Sequence, residues 1–90
     1  MKELKVEVAR IKERCGAHLK VGDAFYIRGY GTLEVPQGQR LCLYALQGLI
    51  PFLLLGQQDR SIPGNEWIPD LNELCCPDDK GVVFKITTLT

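Results

Sequence analysis

Residues 41–55 read LCLYALQGLIPFLLL, and this run decides the fold. Only Gln47 and Gly48 interrupt its apolar side chains, so a helix over the run has no polar face. A surface helix carries an apolar stripe opposite a polar face, whereas a helix that is apolar all round is buried. The remainder of the chain is therefore expected to pack around this segment.

The predicted helix begins at about Gln39 or Arg40. Pro51 lies inside it, removes one backbone N–H and clashes with the carbonyl of residue 47, so a kink or break is expected there. A second short helical piece would then run from Pro51 to Leu55. Gly56 is a plausible stop.

Alternation of apolar and polar residues predicts the strands. Leu4, Val6 and Val8 alternate with charged residues within 3–14, and the phase slips near Ala9-Arg10, which indicates a β-bulge. A helix is the alternative, because Val8, Ile11 and Cys15 also have helical spacing. The other predicted strands are 24–28, with Phe25 and Ile27 on one face, a short extended segment at 72–76, and 82–86, with Val82, Phe84 and Ile86 facing inward.

The segments between the strands and the helix are predicted to be connections. Residues 29–39 are rich in Gly and Pro and are expected to be a loop. Residues 57–70 are polar, and Trp67 is expected to pin this loop to the body. Together these elements predict a single domain over residues 1–90, of the α+β class, in which a small antiparallel sheet packs on one buried, Pro-interrupted helix in the order β-β-α-β-β.

The bulk composition argues against several function classes. Eleven basic and eleven acidic residues cancel, so the chain lacks the basic excess that is typical of nucleic-acid binders. The start of the chain, MKELK, has no apolar signal region, and the fifteen residues 41–55 are too few to span a bilayer. A cytoplasmic protein without nucleic-acid or membrane partners is expected.

The four cysteines are the residues most suggestive of chemistry. They are Cys15, Cys42 and the adjacent pair Cys75-Cys76. No C-x-x-C pair exists, so only the fold could assemble them into a site. Cysteine is also common as a small buried core residue, and in that interpretation the four cysteines have no chemical role. Cys42 is the most interesting, because the positive end of the helix would stabilise a thiolate there.

The other polar candidates are weaker. Neighbours in an extended segment face opposite ways, so Cys76, which shares a face with Leu74, is preferred over Cys75. His18 forms a C-x-x-H spacing with Cys15, although a loop histidine is more often merely solvated. Asp78 and Asp79 belong to a Pro-Asp-Asp-Lys-Gly turn that explains them without chemistry.

The chain resembles a family of small prokaryotic proteins defined by a repeat-type model and carrying no assigned activity. The resembling segments are Cys15 followed by KVGDAF at 20–25, LCLYA at 41–45 with Pro51, and Cys76-Pro77-Asp78 with Val83-Phe84. The chain departs from the family in having Leu43 where members have proline after the cysteine, and Leu19 where they often have His or Tyr. The resemblance implies that Cys15, Cys42 and Cys76 form one set.

Two function classes follow as hypotheses. In the first, Cys15, Cys42 and Cys76 form a metal or redox-thiol site, with His18, Cys75 or water as fourth ligand of zinc or iron. In the second, the cysteines are packing residues of a non-catalytic, homo-oligomeric interaction module. Oligomerisation is expected because Ile50 and residues 52–55 would leave a large apolar patch uncovered. The loop around Trp67 is the alternative cover. No catalytic residue is predicted.

Overall fold

The computed structural model of the 90-residue chain describes residues 2–13, 18–58, 61–65, 67, 72–76 and 81–89. Within these residues, five antiparallel strands form one sheet and a single helix packs on it. The elements in chain order are β1 (Leu4–Ile11), β2 (Ala24–Arg28), β3 (Thr32–Glu34), α1 (Leu43–Gly56), β4 (Glu73–Cys75) and β5 (Val82–Thr88). The sheet order is β3-β2-β1-β5-β4. The predicted α+β class and the sheet-on-helix arrangement are confirmed.

Because side chains alternate between the two faces of each strand, apolar residues of neighbouring strands line up in rows across the sheet. Val6 lies opposite Phe25 on β2 and Ile86 on β5, and Val8 lies opposite Phe84. These side chains are buried in a core shared with the helix. The opposite sheet face is polar and carries the Lys5–Glu7 ion pair.

The predicted bulge in β1 is confirmed, and it decides which way Arg10 faces. The pairing with β5 shifts register between Val8 and Arg10, so that Arg10 lies opposite Val83 and Ile11 opposite Val82. Without the extra residue, plain alternation would turn Arg10 into the core and Ile11 out of it. With it, Arg10 reaches Glu73 on the polar face, at 3.4 Å between Nη1 and Oε2.

Strand β3 lies in the segment that was predicted to be a loop, and that prediction is wrong for residues 32–34. The turn Gly29-Tyr30-Gly31 joins it to β2, and both glycines have positive φ (53° and 70°). Such residues close tight hairpins whose twist matches the strands. The high glycine content therefore marks a hairpin turn here, with Leu33 paired to Ile27.

Of the kink or break expected at Pro51, the break is not found, because α1 is one continuous helix from Leu43 to Gly56 with Pro51 inside it. Pro51 cannot donate to the Gln47 carbonyl. Both residues lie on the exposed side of the helix, where water can satisfy that carbonyl. The expected end at Gly56 is confirmed.

Helix α1 buries only one of its faces in the single chain. Ala45, Leu49 and Leu53 are buried against the sheet. Burial on every side, expected from the apolar run, is therefore not achieved by the described residues of one chain. Trp67 does not supply the missing cover, since its side chain is 68% exposed, and the prediction that it pins its loop is wrong.

Gln57 locks the C-terminal end of α1 to the sheet. It is fully buried, and its Nε2 donates to the carbonyls of Lys2 (3.0 Å) and Gly29 (2.9 Å). The Gln57 carbonyl accepts from the Lys2 N–H at 2.9 Å. One side chain thus ties the helix end to the start of β1 and to the β2–β3 turn.

The core position of Leu49 gives a first testable prediction. Leu49 is 1% exposed, so Leu49→Ala should lower the free energy of unfolding by about 2–5 kcal/mol through lost burial and a residual cavity. Leu89, which is 42% exposed, provides the matched control, and Leu89→Ala should cost less than about 1 kcal/mol. Chemical denaturation measures both, and equal costs would place the core elsewhere.

The buried carboxamide gives a second prediction. Gln57→Ala removes the donor of the part-buried hydrogen bonds to the carbonyls of Lys2 and Gly29, which should cost about 1–3 kcal/mol. The adjacent Gln58 makes only a long 3.5 Å contact to Leu54 O, so Gln58→Ala should change stability by about 0.5 kcal/mol or less. If the two variants melt alike in denaturant, the Gln57 hydrogen bonds do not hold the helix end.

Candidate functional site

The described cysteines of interest gather at one end of the sheet, called here the cysteine end. At this end β1 and β4 finish, and β5, β2 and α1 begin. Helix α1 runs from the cysteine end, where Cys42 lines a cavity with Val8 and Phe84, to the opposite end, where Gln57 bonds Lys2. The helix is therefore antiparallel to β1, and its N-terminus lies over the end of the core that contains Val8 and Phe84.

Cys42 is the N-cap of α1 rather than a residue of its first turn. Its backbone is extended (φ −91°, ψ 114°), and its carbonyl accepts the N–H of Leu46 at 2.9 Å. The thiol makes no capping hydrogen bond. The residue is partly buried and packs against the hydrophobic core. A free thiol at this position is half shielded by apolar groups and close to Arg40, which lines the same cavity.

Cys76 reaches the core from the β4 edge of the sheet. It follows β4, and its N–H donates to Val82 O at 2.8 Å. Val82 in turn lies opposite Ile11 on β1, so Cys76, Val82 and Ile11 form the last row of the core face. Cys76 is partly buried against the core, while Cys75 is exposed. The predicted division of the adjacent pair into an inward and an outward thiol is confirmed.

Cys15 lies outside the described residues. The described residues on both sides of it belong to the cysteine end. Before it, the Lys12 N–H donates to Gly81 O at 2.8 Å, next to the Cys76–Val82 contact. After it, Leu19 is buried and lines the same cavity as Cys42.

His18 lies on a different patch from Cys42 and Cys76. It is exposed and has a left-handed backbone (φ 58°). It shares a polar pocket with Lys20, Asp23 and Arg40. Arg40 and Asp23 line both this pocket and the Cys42 cavity, so the two are adjacent. Within the described part of the chain, no three His, Cys, Asp or Glu residues come together as a metal-binding group.

A second candidate site is the outward side of the helix, defined here as the outer face of α1. It carries large apolar side chains that remain exposed, with Leu43 at 77% and Tyr44 at 54%. At 100° per residue, one side of the helix presents Leu43, Tyr44, Gln47, Ile50, Pro51 and Leu54. None of these residues is charged.

An apolar groove continues the outer face of α1 towards the sheet edge. It encloses about 200 Å³ and shares Ile50 and Leu54 with the outer face. Its other wall includes Ile27 and Leu33 from the β2–β3 hairpin. The outer face and the groove thus form one continuous apolar surface. The sequence predicted this surface through the apolar run, but not the part contributed by β3, which was assigned to a loop.

Comparisons with known proteins add no functional information: no protein-family model, no curated protein and no solved structure matches the chain. The resemblance based on the cysteine segments therefore stays a prediction. No helix among the described residues is both long and apolar enough to cross a membrane.

Proposed function

We propose that the protein is a homo-oligomeric interaction module that associates through the outer face of α1. The observation that carries the proposal is the exposure of Leu43, Tyr44, Ile50 and Leu54 on one side of a helix without charged residues. Exposed apolar surface that is contiguous marks interaction sites. Here the exposed apolar surface lies along helix α1.

The size of the surface fits a protein partner. Counting roughly 200 Å² for a whole large side chain, the exposed apolar residues Leu43, Tyr44, Ile50 and Leu54 leave on the order of 400 Å² uncovered. A stable interface takes about 800 Å² from each partner. The adjoining groove adds mainly Leu33, because Ile27 is buried. The apolar surface is therefore somewhat more than half of what one subunit must contribute.

A second copy of the chain is the occupant that the chemistry favours. The outer face has no charge, so two copies meet without like-charge repulsion across a twofold axis. Two such helices can pack antiparallel and bury each other's Leu43 and Ile50.

The proposal predicts that the wild type has a mass above that of one chain. It also predicts that one substitution on the outer face of α1 returns the protein to the single-chain mass. Light scattering during size exclusion should give the wild type a multiple of 10.1 kDa. Leu43→Glu should give the single-chain mass, because association would bury its charge. The same change should not harm the monomer, since a carboxylate in the first helical turn interacts favourably with the helix dipole.

Ile62→Glu is the matched control, because Ile62 is 52% exposed but lies outside α1; it should keep the wild-type mass. A wild type that elutes at 10.1 kDa across micromolar concentrations contradicts self-association. Dissociation by both variants equally would mean that association is not specific to this face.

We propose as a second function that Cys42, Cys76 and Cys15 bind a metal or act as a redox-thiol set at the cysteine end. The observation that favours it is that Cys42 and Cys76 each pack against the core towards the same end of the sheet, with the described neighbours of Cys15 at that end as well. Three thiolates with a water or one further ligand suit tetrahedral zinc or iron. His18 is a weaker fourth ligand, because Lys20 and Arg40 in its pocket repel a cation.

Metal analysis of protein purified without a histidine tag tests the second function. The wild type should contain stoichiometric zinc or iron, and Cys42→Ser should lose it because serine is a poor ligand for these metals. Cys75→Ser is the matched control, since Cys75 is exposed on the opposite face from Cys76, and it should retain the metal. Metal-free wild type, or equal loss in both variants, would contradict a site built on Cys42.

A further inference from the structure

We infer that the pocket beside the N-terminus of α1 binds a small oxyanion of the phosphate type. The pocket is lined by His18, Lys20, Asp23, Gly38, Gln39 and Arg40 and has a volume of about 200 Å³. Pockets for drug-sized ligands hold about 300–1,000 Å³, so this one suits a small ion. The inference is independent of self-association and of metal binding.

The charges of the lining select an anion over a cation. Lys20 and Arg40 are basic, and neither forms an ion pair with the acidic residues that the structure describes. Asp23 is the one acidic residue of the lining, and its Oδ2 accepts the backbone N–H of Lys20 at 2.9 Å. Two basic side chains against one carboxylate leave the lining with a positive excess.

The loop geometry fixes the backbone from which the two basic side chains extend. Asp23 bonds back to residue 20 twice, through its carboxylate and through its own N–H to Lys20 O at 2.9 Å. On the other side, the Gln39 N–H donates to Pro36 O at 3.0 Å, immediately before Arg40. A lysine and an arginine from two separate loops therefore face one cavity, and arginine offers paired donors that match two oxygens of one anion.

The ligand class follows from the two basic side chains. Hydrogen phosphate and sulfate both offer several negative oxygens to Lys20 and Arg40. The pocket should therefore bind either tetrahedral oxyanion.

Titration with inorganic phosphate, followed by amide shifts in NMR at constant ionic strength, tests the inference. Saturable binding is expected, with the largest shifts at residues 18–23 and 38–41. Arg40→Gln should weaken it about tenfold, the share of a charge-assisted hydrogen bond, and Lys20→Gln should also weaken it. Lys85→Gln, an exposed change on β5, is the control and should leave the dissociation constant unchanged.

Two further ligands define what the pocket recognises. Sulfate, which has the same shape and charge as hydrogen phosphate, should bind to the wild type with a similar dissociation constant and should also be weakened by Arg40→Gln. A phosphate monoester such as glycerol 3-phosphate distinguishes a free ion from the phosphate group of a larger metabolite, and tighter binding of either form supports the site. Shifts that do not saturate, or that weaken equally in Arg40→Gln and Lys85→Gln, would overturn the inference, since general charge attraction alone would then explain them.

Discussion

The structure depends on one constraint: a single helix must close the whole apolar face of the sheet. Helix α1 meets that face with Ala45, Leu49 and Leu53. The approach is close, because a Cβ atom on Gly56 would come within 3.3 Å of Leu4 Cδ1. A helix seated this tightly over β1 can turn only one side inward. Its remaining apolar residues must face outward, which is the origin of the exposed surface proposed for self-association.

The two ends of helix α1 are held in different ways. The C-terminal end contributes to stability, and the N-terminal end carries the groups proposed to bind ligands. At the C-terminal end, buried Gln57 satisfies carbonyls of Lys2 and Gly29, and such buried polar contacts fix one arrangement. At the N-terminal end, Cys42 caps the helix without a side-chain hydrogen bond. The surrounding loops carry the thiols together with Lys20 and Arg40, which pair with none of the described acidic residues. Groups that can bind ligands thus collect where the fold uses them least for its own stability.

Much of the fold could be predicted from the sequence because it follows from local periodicity. The inward residues of β1 and β5, the bulge near Ala9 and the opposed thiols of Cys75 and Cys76 all rest on side-chain alternation, which neighbouring residues reveal. The rest depended on contacts between distant segments. Strand β3 exists only because β2 pairs with it, Pro51 is tolerated only because its side of the helix is open, and Gln57 is buried only because β1 and the β2–β3 turn reach it.

The cavity at the cysteine end and the oxyanion pocket share lining residues, yet the ligands proposed for them have opposite charges. Arg40 and Asp23 line both cavities, so Arg40 lies near the Cys42 thiol as well as near the proposed anion. A guanidinium repels a metal cation and attracts an anion. The surface proposed for self-association is the side of α1 rather than its end. The proposed partner surface and the proposed ion sites therefore lie apart, at the side and at the N-terminal end of one helix.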